Sequence, residues 1–373
     1  MTQRTSSSPS RPPRAAQAPS GLVRSRLARS VLGAGLGAGL LLGAPATAGA
    51  ATGASPLPPP GALPGAEASA AATGVDTADE RRAVVDGWTP ERMRAAVPGS
   101  SLVEEADARR HLEEAAGDVL AGTPEVVDGL PGAAGRAAGG LLAAPTADAT
   151  GVPWTGGGQV VDTTGKVFFT LGGVDYVCSA SSVAADNLST VLTAGHCVHG
   201  EGEYATDFVF VPGYDEGAAP HGVWTARALV TTPQYETSED LDFDVAFAVL
   251  SPVAGRPLAD VVGAQGIAFG QPRGERTHAF GYPAAAPYDG MSLQFCSGTA
   301  RPDTLGGSAD QGLTCAMTGG SSGGPWYSGF DEATGTGTAT SLNSFGYVVD
   351  PTTMYGPYFG AQAQETYEVA SAS

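Results

Sequence analysis

Basic residues are scarce in this chain of 373 residues: 19 Lys and Arg stand against 38 Asp and Glu, a formal charge of −19 without long runs of either sign. A surface this poor in positive charge cannot neutralise a phosphate backbone, which excludes nucleic acid as a partner. Long apolar runs are also missing. The most apolar stretch, residues 31–43, is short and broken by glycines, so no stable membrane anchor is expected. Cysteine is limited to four residues and aromatics to 4 Trp, 11 Tyr and 12 Phe, and before residue 151 there is only Trp88. The bulk needed to fill a core is therefore concentrated in the last 223 residues, where all four cysteines also lie. What is abundant is 54 Gly and 28 Pro, which excludes an all-helical protein. One compact domain is expected over 151–373.

Residues 1–50 carry Arg4, Arg11, Arg14, Arg24, Arg26 and Arg29 without an acid, then the apolar stretch, then small residues at Ala46, Ala48 and Ala50. A basic head, a short apolar segment and a small-x-small site form an export signal, and the absence of an arginine pair favours the general secretion route. Its removal takes six positive charges and leaves a formal charge of −25. A secreted, extracellular protein is expected. Residues 51–74 are mostly Ala, Gly, Pro and Ser, a composition that cannot offset chain entropy and predicts disorder. Ser101-Leu102-Val103-Glu104 resembles a capping box and predicts a helix over 101–120, one of one or two helices in 75–130. Region 51–150 is thus a largely disordered or helical segment, either a linker or a propeptide that assists folding or blocks a site.

Beyond residue 152 short runs rich in Val, Phe, Tyr and Thr recur, at 166–171, 175–179, 190–193, 207–211, 245–250, 278–280 and 344–349. These are strand lengths, and Gly172-Gly173, Pro212-Gly213 and Pro302-Asp303 punctuate them. An antiparallel barrel or sandwich follows. Residues 361–372 instead predict a closing helix.

Three segments carry chemistry: Thr193-Ala194-Gly195-His196-Cys197, Asp242-Phe243-Asp244-Val245-Ala246 and Gly319-Gly320-Ser321-Ser322-Gly323-Gly324-Pro325. An alcohol is a poor nucleophile at neutral pH, so Ser322 needs a base that titrates near ambient pH, which imidazole does unperturbed. The imidazole of His196 in turn needs a carboxylate to orient it and to stabilise its cation. In the order His, Asp, Ser, the three segments resemble the trypsin and chymotrypsin-like serine peptidases, and the wording around Cys178 and Ser322 is similar to bacterial secreted members, including the glutamyl endopeptidase branch.

The resemblance covers about residues 155–373. It implies an all-β fold of two packed six-stranded antiparallel barrels with a C-terminal helix, and a catalytic triad of His196, Asp244 and Ser322. Asp240 and Asp242 are read as solvated loop acids. The amides of Gly320 and Ser322 are the implied oxyanion donors. Ser321 stands where animal members have an aspartate that pairs with a newly freed N-terminus, so activation is not expected to need such a pair. Exported cysteines form disulfides, and four allow three pairings. The resemblance implies Cys178 with Cys197 and Cys296 with Cys315. A metal site built from these cysteines with His196 and His199 is not expected, because there is no close Cys-x-x-Cys pair.

By the same resemblance the specificity pocket is lined by Ala316, Met317, Thr318, Ser344, Phe345 and Gly346, with Ser344 supporting the triad aspartate. Ala316 stands where trypsin-like members carry an aspartate. Met317 and Asn343 stand where the glutamyl branch carries threonine and histidine. A neutral pocket remains. The expected function is a secreted, monomeric serine endopeptidase acting on polypeptides without metal or organic cofactor. The alternatives are a non-catalytic protein-binding relative on the same scaffold and a surface adhesion protein.

Overall fold

A computed structural model describes residues 67–103, 119–133 and 148–373. The export signal, most of the low-complexity stretch and nearly all of the helix expected over 101–120 lie outside the described residues.

The first barrel contains β1 (Thr164–Leu171), β2 (Val174–Ser182), β3 (Thr190–Thr193), β4 (Thr206–Pro212), β5 (Trp224–Thr231) and β6 (Ala246–Leu250). They pair antiparallel in the order β5-β4-β1-β2-β3-β6, and β6 closes back on β5. The β1–β2 hairpin turns through Gly172 and Gly173, both at positive φ (58° and 79°), the backbone that a two-residue turn between twisted strands requires. Inside, Phe169 stacks on Tyr176 at 5.7 Å and on Phe208 at 5.9 Å.

The second barrel contains β7 (Arg276–Gly281), β8 (Gln294–Thr299), β9 (Gln311–Thr314), β10 (Pro325–Asp331), β11 (Thr336–Leu342) and β12 (Asp350–Gly356). Hydrogen bonds join β8-β7-β10-β11 and β9-β12, all antiparallel. The Cys296–Cys315 disulfide ties β8 to the end of β9. Trp154 fills one end, edge-on to Phe295 at 5.1 Å, Phe280 at 5.4 Å and Phe330 at 5.6 Å. The helix Ala361–Ala372 forms where the sequence places it and packs on both halves: Tyr367 lies 5.6 Å from Phe247 and 5.2 Å from Phe269.

The region before the barrels departs from expectation in a specific way. Ala71–Ala72, in the stretch read as disordered, pairs with Leu229 and Ala228 on β5. A helix starts at Ala78, where Thr77 and Glu80 form a full capping box, and a second spans Pro90–Ala95. Ser101 sits in a 3-10 turn, Gly99–Leu102. Val97–Pro98 pairs in parallel with Tyr176 and Val177 on β2, Glu125–Val127 pairs with Phe269, Ala268 and Ile267, and Leu130–Pro131 pairs with Ala264 and Gly263. Among its described residues the segment has no core of its own, and its short strands take their order from stretches of barrel strand that offer unpaired backbone groups. The strand Ala149–Pro153 lies on β8, so the barrel structure begins two residues before the expected boundary at 151.

Candidate active site

His196 lies in the 3-10 turn Gly195–Cys197 just after β3, and Asp244 closes the turn Leu241–Phe243 just before β6. Ala246 pairs with Thr193, so the neighbouring strands deliver the two residues to one point. Gly195 is required there: a Cβ would fall 2.7 Å from the Tyr235 ring and 2.9 Å from Asp244 Oδ1. The Cys178–Cys197 bridge fastens this turn to β2.

The Nδ1 of His196 meets Asp244 Oδ2 at 2.8 Å, and the backbone N–H of His196 donates to Asp244 Oδ1 at 2.8 Å. Ser344 Oγ donates to Oδ2 at 2.5 Å. Burial alone would raise the Asp244 carboxyl, but the His196 ring, its N–H and the Ser344 hydroxyl outweigh burial and hold it below the usual carboxylate range. The carboxylate is thus a fixed anion that orients the ring. The Nε2 of His196 faces away from Asp244 and has no hydrogen-bond partner among the described residues.

Ser322 is carried by the loop before β10. Its carbonyl accepts from Ser179 N–H on β2 at 2.7 Å, and Gly323 packs against Thr193 and the Ala194 N–H, two residues before His196. Gly320 adopts φ 97°, and a Cβ there would press within 3 Å of Ala284 and the Tyr282 carbonyl. Neither Gly320 N–H nor Ser322 N–H donates a hydrogen bond among the described residues, which leaves both able to meet an approaching oxyanion. Ser321 is a turn hydroxyl that donates to the Thr318 carbonyl at 2.8 Å.

Two residues that brace this loop were given no such role from the sequence. The Nδ2 of buried Asn343 donates to the Phe280 carbonyl at 2.9 Å and to the Ser321 carbonyl at 3.0 Å, while its Oδ1 accepts from Trp326 at 2.7 Å. Ser179 Oγ donates to the Gly320 carbonyl at 2.8 Å and accepts from Tyr282 N–H at 2.8 Å. Neither residue type carries a sequence signal for such a role.

Beside Ser322 opens a cavity of about 250 Å³, lined by all six residues expected from the sequence, Ala316, Met317, Thr318, Ser344, Phe345 and Gly346, together with Tyr347, Val348 and Met354. Among the described residues no charged side chain lines it. Asp240 and Asp242 correct the sequence reading, for they are buried rather than solvated. The 303–310 loop reaches Asp242, whose Oδ1 accepts from Ala309 N–H at 3.1 Å. Burial raises Asp240 to about 7 and Asp242 to about 6. Cys178, His196 and Cys197 lie within metal-ligand reach of one another, but both sulfurs are spent in the disulfide and offer no thiolate.

No family model matches the sequence, and no curated protein sequence matches it. Solved structures do. The chain is similar to the protease Anisep from Arthrobacter nicotinovorans, with 49% identity, TM-score 0.56, and coverage of 61% of this chain and 100% of that one. It is equally similar to the thermostable serine protease AL20 from an extremophilic microorganism, with 49% identity, TM-score 0.55, and coverage of 58% and 99%. The chain belongs to the bacterial chymotrypsin-like serine peptidases. Membership accounts for the two barrels and makes a polypeptide the substrate class. Among the described residues no helix is long and apolar enough to cross a membrane.

Proposed function

We propose that the protein is a secreted serine endopeptidase in which Ser322 is the nucleophile, His196 the general base and Asp244 the orienting carboxylate. The carrying observation is the Asp244 carboxylate held by ring, backbone and Ser344 hydroxyl; the amides of Gly320 and Ser322, which donate to nothing among the described residues, support the reading. In the reaction His196 Nε2 takes the hydroxyl proton as Ser322 Oγ bonds to the substrate carbonyl carbon. The two amides stabilise the resulting oxyanion, and such a donor contributes roughly 3 kcal/mol. The peptide C–N bond then breaks, the imidazolium returns the proton to the leaving amine, and water hydrolyses the acyl-enzyme by the same steps.

Residues 1–50 are the export signal, 51–150 a prosegment, and 151–373, with the strand begun at Ala149, the monomeric peptidase domain. The uncharged, methionine-lined cavity favours apolar side chains before the cut bond. Buried recognition of Arg, Lys or Glu needs a charged or strongly polar partner, and none lines it. The test is covalent labelling by a fluorophosphonate on protein freed of its prosegment, followed by a peptide library. Labelling that vanishes in Ser322→Ala, with cleavage after Leu, Met or Phe, is the expected result. Labelling that survives the substitution refutes the nucleophile, and cleavage confined to Arg, Lys or Glu refutes the pocket.

A further inference from the structure

The 19 basic residues include a single lysine, Lys166, and it is buried on β1 with 4% of its surface exposed. Its ammonium donates to the Gly290 carbonyl at 3.0 Å and lies over two rings, 4.6 Å from the Tyr214 centroid and 5.2 Å from that of Phe168. An ammonium is strongly hydrated and has three donors, so one carbonyl and two ring faces offset only part of what its burial costs. Burial accordingly lowers it to about 8, and the charge that opposes this shift is Asp289. The phenols packed here, Tyr214 and behind it Tyr282, are raised by burial and stay neutral where the lysine titrates. Arg94 and Asp289 act on Tyr214, and Asp215 on Tyr282.

Gly290 belongs to the segment 284–291, which grips the nucleophile loop. The N–H groups of Ala284 and Ala285 donate to the Gly319 carbonyl at 2.7 and 3.2 Å, and the Thr318 hydroxyl donates to the Ala285 carbonyl at 2.6 Å. The Gly319 carbonyl and the Gly320 N–H are the two ends of one planar peptide and point opposite ways, so a hold on the carbonyl also aims the N–H. That N–H is one of the two candidate oxyanion donors. The next carbonyl, Gly320, is held by Ser179, the register partner of Lys166 on β2. Gly290 itself sits at φ 71°, where a Cβ would stand 3.1 Å from the lysine Nζ and 2.9 Å from the Ala284 Cβ. Glu216 N–H also reaches the Met291 carbonyl at 2.9 Å, which ties the far end of the segment to the first barrel without the lysine.

We infer that Lys166 is a positioning residue: from the first barrel, through the Gly290 carbonyl and the 284–291 segment, its charged form keeps the Gly320 N–H aimed at the oxyanion. It touches neither the substrate nor the reacting atoms. A charge-assisted hydrogen bond is roughly twice as strong as a neutral one, and only the cation is drawn to ring faces, so loss of the proton slackens the brace although the amine remains a donor. Activity therefore falls as pH rises through about 8. The inference rests on the peptidase reading for its effect on rate, whereas the hold of Lys166 on 284–291 does not depend on it.

Because the chain has one lysine, full-length protein made with lysine isotopically labelled at Cε gives a single side-chain resonance, whose titration is followed by NMR. Amide hydrogen exchange over 284–291 and 318–320 is measured on the same full chain, and kcat and KM on protein made as the full chain and then freed of its prosegment. The resonance is expected to titrate near 8, with kcat falling over the same range and KM little changed. In Asp289→Asn both midpoints are expected at lower pH, because an anion that favours the ammonium is gone. Lys166→Met is expected to lower kcat about ten-fold at pH 7, part of the hundred- to thousand-fold that a whole oxyanion donor contributes. The same variant is expected to lose the alkaline limb and to speed exchange in both stretches, while Tm holds because a buried charge has been removed. Lys166→Arg carries a cation that does not titrate, and is expected to restore kcat and keep it level through the alkaline range. A resonance that titrates at the ordinary lysine value of about 10 overturns the inference, as does an alkaline limb that survives in Lys166→Met and so belongs to another group, such as the N-terminal amine. Unchanged exchange in Lys166→Met refutes the brace itself. Faster exchange with no hydrolysis by any form refutes the effect on rate through failure of the peptidase reading, a result that exchange alone distinguishes from failure of the brace.

Discussion

Ser344 donates its hydroxyl to the same Asp244 oxygen that receives the His196 ring. Removing it leaves a fully buried carboxylate with one bond fewer and a ring less firmly aimed, and takes only one small hydroxyl from the cavity beside Ser322. Ser344→Ala is expected to lower kcat about ten-fold, the loss of one charge-assisted hydrogen bond of roughly 1.5 kcal/mol, with little change in KM. Steady-state kinetics on a short peptide check this. Asp240 bears on stability instead. Burial and the neighbouring Asp242 raise it to about 7, above the ordinary value near 4, so the folded state favours its neutral form. Its contribution is complete below about pH 4 and is lost as pH rises through about 7. Asp240→Asn keeps the acceptor that caps the Asp242 N–H and is expected to raise Tm at pH 8 but not at pH 4, read by calorimetry at both. The pairing of His196 with Asp244 was legible in the sequence, because an imidazole base demands an orienting carboxylate, and the proposed role of Ser322 rests on the same chemistry. Asn343 and Ser179 were not, since an amide and a hydroxyl aimed at backbone carbonyls look like any others until the chain is folded. Asp240 and Asp242 were misread for a related reason: their burial comes from the folded chain around them, and the Asp242 carboxylate is met by Ala309, more than sixty residues away in sequence.

Each catalytic element is fixed at its base. The histidine turn is fastened to β2 by Cys178–Cys197, and the stretch leading to Ser322 follows the Cys296–Cys315 bridge between β8 and the end of β9. Cys315 also lines the specificity cavity, directly before Ala316 and Met317. Replacing both Cys296 and Cys315 by alanine is expected to cost about 3 kcal/mol, as a closed loop of this length implies, measured by urea unfolding. It is expected to raise KM more than it lowers kcat, because the cavity wall loosens while the Asp244–His196 pair stays anchored in the other barrel. Barrel strands and the closing helix were readable from residue choice and turn chemistry, as at Gly172-Gly173. The short pairings at Ala71–Ala72 and Val97–Pro98 were not, because an edge strand of two residues takes its order from the sheet it joins rather than from its own side chains.

At the scale of the molecule, His196 and Asp244 belong to the first barrel and Ser322 to the second. The proposed triad therefore depends on the seam, which is held by contacts such as the Ser322 carbonyl with Ser179 N–H and the Ser181 hydroxyl 2.7 Å from Tyr327. Activity of the peptidase freed of its prosegment is expected to fall at a lower urea concentration than the fluorescence change of Trp224 in the first half or of Trp154 and Trp326 in the second. Coincident curves would mean that the seam and the barrels give way together. If activity is lost first, a protein-digesting enzyme made in two halves carries a safety interlock in its construction: a copy damaged enough to gape is disarmed before it melts, and does not attack its intact neighbours.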